Sequence, residues 1–249
     1  TIAGYVLEVD SPIGFQLPEL GPIGSNGLAN PRDFWYPVAW CEASNKEDYH
    51  NKPCEIFTKH QDELFVRDSD HSPYNVVAWH GTHLPFKYNL SNFCTVNSVS
   101  FDHLDPSIYT VLTVPSSSVP GTAALADFVI FPPRVLATDP NTFRPPWFHQ
   151  NCMAEFMGLI HGSYDAKTTE FKVGGASLHN VMTPHGPDAV SYEKAVNDPC
   201  VEPTRLEGGL AFMFETYLPL KVNPAVLNDT EWRDMEYNDC WKNLNDNFT

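Results

Sequence analysis

Four of the ten histidines fall in one stretch together with a glutamate and a tyrosine, FRPPWFHQNCMAEFMGLIHGSYDAK followed by GGASLHNVMTPHGPDA. His149 and Glu155 are six residues apart, and His185 follows thirty residues after Glu155. Two imidazoles and a carboxylate are the donor set of the facial triad of non-haem iron(II) oxygenases, which leaves the opposite face of the metal open. The spacing sets a condition on the backbone. Six residues of straight strand span about 20 Å, and on a helix they rotate by about 600°, so either element would separate His149 from Glu155. The chain must fold back between them, while Pro184 and Gly186 in TPHGP favour a fixed loop presenting His185. Each residue also has a plainer reading. A histidine in a β-protein is more often a hydrogen-bonded structural group than a ligand, and Tyr164 is equally a packing residue. Glu155, between Ala154 and Phe156, is harder to set aside: if buried, it requires a charge partner or a metal.

The elements that must position these residues are short. The 22 prolines and 14 glycines are spread along the chain and cut it into small segments. Tyr5–Val9, Asn75–Trp79, Cys94–Phe101, Tyr109–Val114, Phe128–Phe131 and Leu210–Tyr217 are rich in Val, Ile, Phe, Tyr and Thr and are expected as strands. Residues 188–197 and 229–244 are expected as short helices. The fold class is therefore mainly β, a β-sandwich or jelly roll with a few short helices. A boundary near Asp102 divides the chain into residues 1–101, the remainder of an N-terminal β-domain, and residues 102–249, which carry the candidate ligands.

Composition narrows the partners. Against 15 basic residues stand 31 acidic ones, a formal net charge of -16. Such a field repels phosphate backbones and anionic membranes, so neither nucleic acid nor a membrane is an expected partner. An anionic substrate would need local cationic or metal attraction. No stretch approaches the roughly 20 apolar residues of a membrane helix. The opening TIAGYVLEVD lacks the basic start and apolar run of a signal peptide. The cysteines (Cys41, Cys54, Cys94, Cys152, Cys200 and Cys240) form no CxxC pair, and the expectation is reduced thiols in the cytoplasm.

The runs GPIGSNGLANPRDF, NVVAWHGTHLPFKYNL, NSVSFDHLDPSIYTVLT, ADFVIFPPR, NCMAEFMGLI and GGASLHNVMTPHGPDA, in this order, resemble the homogentisate 1,2-dioxygenase family. The resemblance reads as the C-terminal portion of the family, with the N-terminal part absent, and implies a cupin-like jelly roll for the iron-binding domain. It places Fe(II) on His149, Glu155 and His185. His103 in FDHLDPS takes the position of the catalytic proton acceptor. Tyr164, His179 and His185 are the substrate-binding residues it implies. The activity implied is cleavage of homogentisate by O2 to maleylacetoacetate in tyrosine and phenylalanine catabolism, the metal taking the ring hydroxyl and carboxylate of a small aromatic acid. A homo-oligomer, trimer or hexamer, is also implied.

Two departures open alternatives. Trp147 and Phe148 stand where the family usually has paired tyrosines, and Gln150 where an arginine is common. Loss of two phenolic hydroxyls and a positive charge beside the metal admits a different dihydroxylated aromatic acid as substrate. The other alternative is an inactive β-sandwich relative.

Overall fold

Val-, Phe- and Ile-rich segments between Pro and Gly breaks form short antiparallel strands in this computed structural model. It describes residues 3–20, 28–36, 52–60, 62–73, 85–97, 99, 109–116, 123–164, 166–167, 171–199, 201–229 and 231–246. The architecture is mainly β, with two short α-helices among the described residues. The chain divides into two units, Arg32–Asn89 and Thr1–Pro31 with Leu90–Thr249.

In the smaller unit, β1 (Phe34–Trp35) pairs with the last strand of the unit, Lys87–Tyr88, here β4. Between them β2 (Cys54–His60) and β3 (Glu63–Ser69) form a hairpin in perfect register, turned at Asp62 with φ of 68°. Alternating charge in CEIFTKH and ELFVRDS hides these two strands from a reading based on apolar runs.

The larger unit holds the remaining strands: β5 (Thr110–Val114), β6 (Ala126–Phe131), β7 (Arg134–Ala137), β8 (Ala154–His161), β9 (Ala176–His179), β10 (Thr204–Leu206) and β11 (Leu210–Thr216). Five make an antiparallel sheet in the order β5-β6-β11-β8-β9, and β7 pairs with β10. The expected strands at Tyr109–Val114, Phe128–Phe131 and Leu210–Tyr217 are β5, β6 and β11 within a residue or two. Tyr5–Val9 is not a strand. Instead the Tyr5 ring packs 4.4 Å from that of Phe212, and its hydroxyl donates to Gly175 O at 2.9 Å. Cys94 contributes only an isolated bridge to Leu28, and Asn75–Trp79 lies outside the described residues. Helix α1 (Ala189–Val196) sits between Asp188 and Asn197 as its caps, and α2 is the single turn Pro224–Leu227. The expected helix over residues 229–244 is, where described, a series of turns ending in a 3-10 helix, Tyr237–Trp241.

Residues directly opposite one another on antiparallel strands point to the same face, so the register assigns the two faces. On one, Phe128, Phe156, Phe212 and Phe214 pack together, with ring centroids 4.7 Å apart for Phe212 and Phe214 and 5.8 Å for Phe128 and Phe214. Phe212 lies opposite Gly158, and a Cβ added there would fall 2.2 Å from the Phe212 ring. On the other face Val129, Met157 and Met213 form an apolar cluster. A polar row crosses that face: Thr113 opposite Asp127, Asp127 opposite Glu215, Glu215 opposite Glu155, and Glu155 opposite His179.

Candidate metal centre

Glu155 is the second residue of β8, 3% exposed, on the cavity-lining face of the sheet. His149 and His185 lie off the sheet and face each other through an isolated antiparallel bridge, each backbone N–H donating to the other's carbonyl at 2.9 Å. Between His149 and Glu155 the chain bends at Cys152 and Met153, where the Asn151 side chain accepts from Met153 N at 2.6 Å. The Asn151 carbonyl also accepts from Met182 N at 2.9 Å, holding this bend against the approach to TPHGP. On the far side of the loop, Asp188 caps α1 by accepting from Ser191 N at 2.6 Å, a contact worth about 1 kcal/mol. Trp241 Nε1 donates to the carbonyls of Gly186 and Pro187 at 3.2 and 3.1 Å.

These supports bring one donor atom from each of His149, Glu155 and His185 within 4.8 Å of one another. His185 Nε2 stands 2.9 Å from Glu155 Oε2, and His149 Nε2 stands 3.8 Å from Oε1. Both histidines are anchored alike: Nδ1 of His149 donates to Trp147 O at 3.0 Å, and Nδ1 of His185 donates to Thr183 O at 2.9 Å. A carbonyl only accepts, so Nδ1 carries the proton in each ring and a neutral ring turns the Nε2 lone pair toward Glu155. Two lone pairs and a carboxylate facing one point need a proton or a cation between them, and this donor set fits a metal. Asn151 Nδ2 donates to Glu155 Oε1 and fixes the carboxylate.

The electrostatics follow from burial and partners. Burial works to raise the Glu155 pKa, but His149, His185 and Asn151 outweigh it and hold the carboxyl below the usual range. The same carboxylate raises His149. His179 is pushed down to about 4, by burial first and then by the charge of His185, and so is neutral at physiological pH. Its ring stacks on that of His185 at 4.1 Å, its Nε2 lies 3.0 Å from Tyr237 Oη, and its buried Nδ1 has no partner among the described residues.

Glu215 is pushed up to about 7, by burial and then by the charges of Glu155 and Asp127. A folded-state pKa above the ordinary 4.5 means stability that is present in acid and lost as pH rises toward 7, a loss of roughly 3 kcal/mol. The Glu215→Gln variant, metal-free, is therefore expected to melt increasingly above the wild type between pH 5 and pH 8. A melting difference that stays constant across that range would show that Glu215 does not titrate there.

Tyr164 packs against Phe131 and Phe171 in the same cavity of about 800 Å³ that the triad lines, which is also lined by Trp147, Phe148 and Gln150. The structure thus brings together His149, Glu155, Tyr164, His179 and His185, whereas His103 lies outside the described residues. Residues that the sequence reading missed also line the cavity: Asn151, Lys167, Glu215, Tyr237 and Trp241. Of these, Glu215 carried a usable signal, an acid within the apolar strand LAFMFET.

Two family models cover the chain, homogentisate 1,2-dioxygenase N-terminal over residues 1–90 and homogentisate 1,2-dioxygenase C-terminal over residues 91–248. The chain belongs to the homogentisate 1,2-dioxygenase family. Because residues 1–90 match the family's N-terminal model, the expectation of a C-terminal portion alone is corrected: the chain holds sequence from both parts. It is 53% identical over 247 residues to homogentisate 1,2-dioxygenase from Oryza sativa subsp. japonica, covering 99% of this chain and 50% of the relative. It is 52% identical over 246 residues to that of Homo sapiens, covering 99% and 54%, and 52% identical over 245 residues to that of Drosophila melanogaster, covering 98% and 54%. The chain spans about half the length of the curated relatives it matches. No helix among the described residues is long and apolar enough to cross a membrane.

Proposed function

We propose that this chain carries the Fe(II) centre of a ring-cleaving dioxygenase that opens homogentisate with O2 to give maleylacetoacetate. The observation that carries the reading is the convergence of two Nδ1-anchored histidines and one buried carboxylate in a cavity otherwise lined largely by aromatic and apolar side chains, in a chain of this family. His149, Glu155 and His185 would hold the metal, and the five-stranded sheet with its β7/β10 companion supports a cupin-like jelly roll as the scaffold. Iron(II) supplies Lewis acidity and a site where substrate and oxygen meet.

The chain's own residues do the rest. Asn151 keeps the Glu155 carboxylate turned toward the two imidazoles. His179, neutral and with one buried ring nitrogen lacking a partner among the described residues, offers a hydrogen bond to a substrate hydroxyl. Tyr164 presents a phenol at the apolar wall formed by Phe131 and Phe171. His103 takes the ring-hydroxyl proton, a role resting on its place in FDHLDPS. Met157, Met213 and Val129 keep the floor of the cavity dry.

Trp147 and Phe148 favour a second reading, the same chemistry on another dihydroxylated aromatic acid, because they replace hydroxyls with apolar surface in the cavity lining. Anaerobic loading with Fe(II) followed by oxygen uptake on a panel of such acids tests both. Stoichiometric uptake with maleylacetoacetate formed from homogentisate is the expected result. Uptake with another acid alone would select the second reading, and iron binding without uptake on any acid would sink both.

A further inference from the structure

Of the three donors in the triad, the carboxylate alone has two atoms it can offer to a metal. Its two oxygens have different neighbours. Glu155 Oε2 lies 2.9 Å from His185 Nε2, whereas Oε1 accepts a hydrogen bond from Asn151 Nδ2. The Asn151 amide can be oriented in only one way. Its oxygen accepts from the backbone donor Met153 N at 2.6 Å, so its nitrogen is the end that faces the carboxylate. One lone pair of Oε1 is thereby taken by a donor, and charge is drawn toward that side. Oε2 is left as the stronger ligand atom.

Asn151 is itself held in place. It is half-buried in the bend between His149 and Glu155, and its own carbonyl accepts from Met182 N at 2.9 Å. Met182 keeps a left-handed φ of 61°, uncommon for a residue with a side chain, three positions before His185. One residue therefore meets the segments that carry all three donors. It follows His149 by two positions, bonds Glu155 through its side chain, and bonds the turn that leads to His185 through its main chain.

We propose that Asn151 is a positioning residue that restricts Glu155 to ligation through one oxygen, offering Oε2 to the metal and keeping Oε1 on its own amide. The assignment rests on the reading of the triad as an iron centre and adds how many positions the protein occupies there. Two imidazoles and one oxygen fill one face of an octahedron and leave the other face open. That face takes a substrate held at two points and still has room for a diatomic molecule. A carboxylate bound through both oxygens would fill one further position, and a two-point ligand would then leave no place for the diatomic. The Asn151 side chain thus keeps a position open without touching what enters it.

The test reads the carboxylate itself, by infrared difference spectra of the full chain on anaerobic loading with Fe(II). Wild type is expected to show the widely separated carboxylate stretches of a one-oxygen ligand. Asn151→Ser retains a hydroxyl that can accept from Met153 N in the same kind of turn, but its shorter side chain leaves Oε1. In that variant the two stretches should draw together as Oε1 joins the metal, with metal content unchanged. Nitric oxide, used as the diatomic probe, should bind the homogentisate-loaded variant at least about 10-fold more weakly than wild type, followed by the paramagnetic signal of its Fe(II) adduct. Closely spaced stretches in wild type overturn the proposal without any variant, so the test stands even if the serine variant does not fold. A folded Asn151→Ser protein that melts lower but matches wild type in both readouts also overturns it, since Asn151 would then serve the bend alone. One-oxygen stretches that depend on Asn151, in a protein that takes up no oxygen on homogentisate, would uphold this assignment and sink the dioxygenase reading. Oxygen uptake with closely spaced stretches in wild type would do the reverse.

Discussion

Replacing Glu155 with glutamine is expected to reduce the metal content of the loaded protein below about a tenth of wild type, since even outer-shell changes cost 10–100-fold in affinity. The reason lies in the direction of protons. Both Nδ1 atoms are committed to carbonyls, so each neutral imidazole turns a lone pair inward. A glutamine at 155 keeps an oxygen for Asn151 but presents an amide N–H where the lone pairs meet. That closes the site with hydrogen bonds that the metal would have to break. The variant also loses a carboxylate that His149, His185 and Asn151 stabilise in the folded chain, so its metal-free form should fold but melt below metal-free wild type at neutral pH, the difference shrinking as pH falls through the acid range. Elemental analysis after identical anaerobic loading, with a thermal melt beside it, makes the check. Wild-type metal content in folded Glu155→Gln would remove Glu155 from the donor set.

The second large effect lies on the opposite face of the same strand. Gly158 accepts the Phe212 ring above its backbone, and a methyl at 158 would collide with that ring and meet Tyr5 at 2.9 Å. Overpacking of this kind costs about 1–3 kcal/mol. Phe212, 2% exposed, should cost about 3–5 kcal/mol when truncated to alanine. The two costs are not independent. Once the ring is gone, the methyl has space, so Gly158→Ala with Phe212→Ala should fall short of the sum of the single changes by more than about 1 kcal/mol, within the range for contacting pairs. Denaturant unfolding of the four proteins measures this coupling. Additive costs would show that the ring and the glycine do not share one space. Because Gly158 and Glu155 face opposite ways, the folded single variants should load metal as wild type does.

These two sites also show where sequence is legible. Glu155 stood out as an acid among apolar neighbours, and its partners were named from residue type and family motif. The strands β5, β6 and β11 could be read because β-branched and aromatic residues are concentrated in them. Strand β8 was hidden by its own chemistry: with both faces covered, AEFMGLIH shows no clean alternation, and Met and Gly dilute its strand character. Tyr5 looked like a strand residue because aromatic side chains favour strands, yet it serves as a cover over Phe212. The packing of the Lys167 ammonium against the Tyr237 ring, 3.6 Å from its centre, could not be read at all, because the two residues are separated by seventy positions and no local pattern links them. Glu215 was legible in principle, although its raised pKa arises from Asp127 and Glu155 on neighbouring strands, which only the register reveals.

The anchoring of the two histidines has a consequence for how such a pocket can change over time. Each ring is oriented by the carbonyl two residues before it, at Trp147 and Thr183, and a carbonyl is supplied by every amino acid. Tautomer and ring direction are therefore indifferent to the side chain at 147, which lines the cavity and faces whatever occupies it. The donor set is inherited through the main chain, while the cavity wall is written in side chains. Tyrosine can give way to tryptophan at that position without disturbing the grip on a cation, so selectivity can drift while the centre stays in place.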